Sequence, residues 1–155
     1  MHRKVYTVEE IKRKMEQYCV YQDRCHKEVE QKLIQYQLIP EAREHILLHL
    51  LSHEFLNEER FAKSFARGKF RIKKWGRDRI TRELKFRDIS SYLIKVALRE
   101  IDAEEYEETL FELVAKKQQS LREEDPFKRR KKLFDFLKYR GYETSLINRA
   151  LLELD

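Results

Sequence analysis

The sequence predicts an all-α protein: a tandem array of three three-helix repeats, elongated and curved, with no β-strand. Three observations carry that prediction. Glycine and proline number only 3 and 2, which leaves few sites for hairpin turns. Charged residues reach 40%, and the strong helix formers Leu, Lys, Arg, Glu and Gln dominate. Laid on itself at offsets of about fifty residues, the chain matches apolar positions in three copies. Leu33 aligns with Leu84 and Leu137, Leu38 with Ile89 and Tyr142, and Ala42 with Leu93 and Leu146. Ile46 with Ala97 and Ala150, and Leu47 with Leu98 and Leu151, complete the set. The linking turn falls at the same place each time, as expected of units that bury their apolar faces on one another. The expected units are 1–54, 55–101 and 102–155.

Each helix has a local reason. From Thr7 to about Val20, Val8, Ile11, Met15 and Tyr18 recur at three- and four-residue steps. A second helix from about Cys25 to Tyr36 turns Val29, Leu33 and Ile34 inward. Pro40 suits the first turn of a third, running to about His53 with Ile46, Leu47, Leu50 and Leu51 as its core face. Asn57 is a good N-cap, with Glu58 and Glu59 in the favourable first turn, for a fourth helix reaching Trp75. Gly76 breaks the pattern there, and a short fifth helix covers Arg77 to Phe86. Ser90 caps a sixth, with Leu93, Ile94, Ala97 and Leu98 inward. Asp102 with Glu105 has capping-box spacing and starts a seventh, to about Arg122. Asp125-Pro126 starts an eighth that ends at Gly141. Thr144 or its neighbour begins the ninth.

Charge is unevenly spread. Between Arg60 and Arg87 stand twelve Lys and Arg against two acids, Asp78 and Glu83, a net of +10 in a chain of +6. Glu100 to Asp125 nets −7, and Lys128 to Arg140 returns to +6. A charge run is usually a solvated helix face, and the acidic stretch reads that way. The +10 block does not, because its self-repulsion would cost stability without return. Cations interleaved with Phe65, Phe70, Trp75 and Phe86 suit phosphate backbones or acidic protein surfaces.

Other functions find little support. Three dispersed glycines make no phosphate-cradling loop, and no Ser/His/Asp or Cys/His set has supporting context, so an enzyme is not expected. His45, His49 and His53 follow four-residue steps, as zinc ligands can, but nothing completes a shell; no metal and no cofactor are expected. The first ten residues lack the apolar run of a signal peptide, and no window approaches a membrane span. Cys19 and Cys25 fit no disulfide framework and read as reduced thiols, which suggests a cytoplasmic protein without a membrane partner.

Residues 53 to 90, HEFLNEERFAKSFARGKFRIKKWGRDRITRELKFRDIS, resemble the signature of the RecX family. That pattern joins an acidic pair and Arg-Phe-Ala to a basic helix and Lys-x-Gly-x-x-x-Ile-x-x-Glu-Leu. It is met by Glu58, Glu59, Arg60, Phe61, Ala62, Lys74, Gly76, Ile80, Glu83 and Leu84. Arg140, Gly141 and Tyr142 resemble the turn of the closing repeat, whereas the first repeat matches weakly. Arg77 stands where many members have Pro, and Asp88 replaces the Gly usual before Ile89.

The resemblance implies a monomeric regulator that binds the RecA recombinase filament on single-stranded DNA. It would modulate, most often inhibit, ATPase, strand exchange and coprotease activity in recombination, DNA repair and the SOS response. DNA binding alone would be weak; the alternative is a stand-alone helical DNA-binding protein. On the helical wheel Arg60, Lys63, Arg67, Arg71 and Lys74 fall on one face of the fourth helix, away from Phe61, Phe65 and Ile72. With Lys69, Lys73, Arg77, Arg79 and Arg82, they are the expected contacts to phosphate or filament. Trp75 suits either base stacking or packing at the helix end. Glu83 is expected to pair with Arg79 or Arg87 within the helix.

Overall fold

A computed structural model describes residues 5–154. The outermost residues of the expected first and third units, 1–4 and 155, lie outside it. Among the described residues there are nine helices and no strand. They are α1 (Val8–Tyr21), α2 (His26–Ile34), α3 (Pro40–Ser52), α4 (Glu58–Lys73), α5 (Arg77–Phe86), α6 (Ser91–Leu98), α7 (Ala103–Ser120), α8 (Pro126–Arg140) and α9 (Thr144–Leu152). They pack in consecutive threes, with α4 lying along α6 and α7 along both α8 and α9.

Side chains set the helix starts. Thr7 and Glu10 form a reciprocal capping box at α1. Asn57, Ser90, Asp102 and Asp125 each accept a backbone N–H at the start of α4, α6, α7 and α8. These bonds satisfy donors that a helix start leaves orphaned. Three helices stop earlier than the periodicity suggests: α2 ends at Ile34 rather than Tyr36, and α4 and α7 are also short. α4 ends at Lys73, because Lys74 turns left-handed at φ 59°. α7 ends at Ser120, where Arg129 folds back to donate to the carbonyls of Gln118, Leu121 and Glu123 at 2.6, 3.3 and 3.0 Å.

The repeat shows in the backbone itself. The residue before Leu38, Ile89 and Tyr142 is left-handed in every copy: Gln37 at φ 54°, Asp88 at 59° and Gly141 at 98°. The helix-stop bonds Ile89 N–H to Leu84 O and Tyr142 N–H to Leu137 O, 3.1 and 3.2 Å, recur in the second and third copies. Leu33, Leu84 and Leu137 are all buried, as are Ile46, Ala97 and Ala150.

Ile34, expected inward, and two other members of apolar helix stripes face out. Ile34 is 58% exposed and Ile72 78%, and Val8 is also exposed. Ile34 occupies the position held by Lys85 and Lys138 in the other copies, one residue past the inward leucine, where a side chain meets water. Ile72 lies in the last turn of α4, beyond the reach of the chain packed on that side.

Three repeats share two cores. Ile11, Met15, Cys19, Val29, Leu33, Ile46, Leu50 and Leu56 form one cluster within the first three helices and the start of the next segment. A second, larger cluster runs without a break from Phe61 through α4–α9 to Leu151. Cys25 crosses over: it caps α2 yet is fully buried in the second cluster.

Candidate nucleic-acid interface

The basic residues gather around the junction of α4 and α5, and that junction is locked onto the third repeat. Gly76 donates its N–H to Arg140 O at 2.8 Å, and Asp78 donates to Gly141 O at 2.9 Å. Tyr142 donates its hydroxyl to Lys74 O at 2.9 Å, and Arg140 reaches Lys73 O at 2.8 Å. Beneath them Tyr106, buried against Phe70 and Tyr142, accepts the Arg77 N–H at 2.9 Å and donates to Glu143. Burial pushes the phenols of Tyr106 and Tyr142 above the ordinary tyrosine range, and the Glu143 carboxylate adds to the shift in Tyr106.

The expected contact residues divide into two groups. Several cations serve the fold. Arg60 pairs with Asp23 at 2.8 Å and donates to Phe55 O. Arg67 pairs with Glu100 at 2.6 Å. Arg77 pairs with Glu143 at 2.8 Å while its guanidinium covers the Tyr106 ring at 3.9 Å. Arg79 lies between the rings of Trp75 and Tyr139, 4.3 and 4.9 Å from their centres. Lys63 pairs with Glu59 one turn away.

Four others point into solvent. The side chains of Arg71, Lys73, Lys74 and Arg82 are exposed and have no ion-pair or hydrogen-bond partner among the described residues. Lys69 holds its ammonium over the rings of Phe65 and Trp75. Trp75 is half-buried, edge-on to Phe65, with cations on its ring. Glu83 does pair with Arg87, at 2.9 Å.

The structure adds members that the sequence reading left out. Lys85 is exposed and unpaired among the described residues. A groove of about 590 Å³ between α5 and α8 sets Arg82 beside Lys138, with the exposed rings of Phe86 and Tyr139 on its walls. It also carries Glu83 and Asp135, neutralised by Arg87 and by Lys131 at 3.1 Å. The +6 run of α8 had signalled these residues by charge, but nothing in a one-dimensional pattern said that α8 would flank α5. Such a surface suits a phosphate backbone with bases lying against aromatic rings.

Two of the three histidines have structural contacts: His49 meets Glu16 at 2.8 Å, and the His53 ring lies tilted against His49 with ring centres 4.3 Å apart. The described residues contain no group of three or more His, Cys, Asp or Glu able to hold a metal. They also contain no helix long and apolar enough to cross a membrane. Burial pushes the thiols of Cys19 and Cys25 up to about 11, which keeps them protonated and unreactive at neutral pH.

Known proteins place this architecture. The sequence profile of the second three-helix domain of RecX matches residues 57–98, and that of the third matches residues 104–151. A regulatory protein RecX of Streptomyces coelicolor is 27% identical over 83% of this chain and 68% of its own length. One from Clostridium perfringens is 32% identical over 68% of this chain, which spans 50% of that relative. The crystal structure of RecX from Lactobacillus salivarius superposes with a TM-score of 0.83 over 96% of both chains, at 22% identity. A second crystal structure of regulatory protein RecX superposes at 0.78 over 91% of this chain and 71% of the other. The two domain profiles cover more than half of the sequence, in order and in register with α4–α6 and α7–α9: the chain belongs to the RecX family.

Proposed function

We propose that this protein binds the RecA filament on single-stranded DNA and restrains its ATPase, strand-exchange and coprotease activities. The observation that carries this reading is the cluster of unpaired cations, Arg71, Lys73, Lys74, Arg82 and Lys85, at one junction of the fold. Arg71 and Arg82 bring planar forks that engage phosphate or carboxylate through two bonds. The paired cations beside them hold the surface in shape. The protein acts in the cytoplasm as a monomer, by binding rather than catalysis, and needs the filament for tight binding.

The test is DNA-dependent ATP hydrolysis by RecA on excess single-stranded DNA, titrated with this protein. Inhibition well below one protein per RecA subunit, undiminished by further DNA, is the expected result. Inhibition relieved in proportion to added DNA would instead identify a stand-alone DNA binder that competes for the strand.

A further inference from the structure

Opposite Phe70 on α4, half a turn around the helix, stand Phe61, Phe65, Gly68 and Ile72. Their steps of four, three and four residues are those along which a second helix packs. The first half of this stripe is covered by the corner between α1 and α2, including Gln22 and Asp23. The second half is open. A groove of about 320 Å³ runs between that corner and α4, over Phe65, Gly68 and Ile72.

Gly68 is the odd member. It is the eleventh of sixteen residues in α4, where glycine weakens a helix relative to alanine. Gly76 is required by the approach of Gly141, and Gly141 by its positive φ. Neither reason applies to Gly68: its φ is negative, and a Cβ there would meet nothing within 4 Å. What the glycine provides is room at the floor of the groove, beside an isoleucine that is 78% exposed.

The rim has a sign. Asp23 is neutralised by Arg60, leaving Lys69 and Lys73, neither of which pairs with a carboxylate among the described residues. We propose that this groove docks an acidic amphipathic helix of a partner protein. An aliphatic side chain of that helix lies over Gly68 between Phe65 and Ile72, and its carboxylates meet Lys69 and Lys73. The acidic helix of a second copy does not fit the description, because α7 exposes Glu104, Glu105, Glu108 and Glu112 but no large apolar side chain. The site rests on the function proposed above: the helix belongs to the protein component of the filament, while Arg71, Lys74 and Arg82 face the DNA.

The test uses Gly68→Gln, which fills the groove without adding charge or apolar surface, and Ile72→Ser, which removes its exposed wall. Both should melt no lower than the parent and bind a short single-stranded oligonucleotide equally well. Both should bind RecA filaments, assembled with a slowly hydrolysed ATP analogue, about tenfold more weakly or worse. A photo-crosslinker in place of Ile72 should attach to the RecA subunit within an acidic helix. Undiminished filament binding by both variants, or crosslinks running to DNA or to a second copy of this chain, would overturn the docking site and leave the proposed function standing. Failure of the parent protein to bind filaments would overturn that function and the site with it.

Discussion

A Cβ added to Gly76 would come within 2.3 Å of the Gly141 carbonyl oxygen. The backbone at Gly76 is ordinary, at φ −80°, so it is space and not conformation that demands glycine there. Gly76→Ala should therefore push the α4–α5 junction off the third repeat and break the two backbone bonds that cross it. A loss of about 3 kcal/mol is expected. Urea denaturation followed by circular dichroism measures it.

The left-handed turn at Asp88 predicts a ranking. Glycine is free of strain at φ 59°, aspartate tolerates it, and a β-branched residue does not. Asp88→Gly should raise stability by about 0.5 kcal/mol, and Asp88→Val should lower it by about 1–2 kcal/mol. Thermal melts of the three proteins would show the order; a valine variant as stable as the parent would contradict it.

The two groups of cations should respond differently to charge reversal. Arg77→Glu faces Glu143 and uncovers Tyr106, so it should destabilise the fold by about 2 kcal/mol. Arg71→Glu, Lys74→Glu and Arg82→Glu together touch no partner and should leave the melting temperature nearly unchanged. The triple variant should bind filaments much more weakly. A contact with ~4–6 phosphates gives a log–log salt slope of roughly 3–4, and removing three cations should cut it by about 2. Binding titrated across salt concentrations reads both effects.

The buried thiols predict a fall in stability at alkaline pH. Folding raises Cys19 and Cys25 to about 11 from an ordinary 9.0, so the folded chain holds protons that the unfolded chain releases. Their contribution is fully present below pH 9 and is lost as pH rises toward 11. Denaturation midpoints should drop across that window, less so in a Cys19→Ala variant. At pH 8 the native thiols should react with a thiol reagent about a hundredfold more slowly than a free cysteine, since the thiolate fraction is smaller by that factor.

The helical array was legible in the sequence because its signals are local. Asn57, Ser90, Asp102 and Asp125 announce helix starts by short-range bonding. Two of the five apolar matches, Leu33 with Leu84 and Leu137 and Ile46 with Ala97 and Ala150, are buried positions in all three copies. What stayed hidden depends on residues distant in the chain. Arg77 and Arg71 are both arginines in one basic run, yet one is held by Glu143, 66 positions away, and the other by nothing described. Lys138 and Tyr139 joined the candidate surface only because α8 packs beside α5. Ile72 shares a helix face with Phe61 by periodicity, but the corner that covers Phe61 stops short of it.

One core shared by α4–α9 and another formed by the first three helices with Leu56 have a mechanical consequence. Between the last two repeats, any bending must open apolar packing as well as the Tyr106–Glu143–Arg77 interlock. Between the first two, load falls on polar ties, the exposed Arg60 to Asp23 and Lys27 to Phe86 O and the part-buried His26 N–H to Glu58, with Cys25 as the buried plug. Stiffness is therefore graded along the array. A torque applied by a curved polymer would be taken up at the first joint, sparing the geometry of the cationic junction near the middle of the chain.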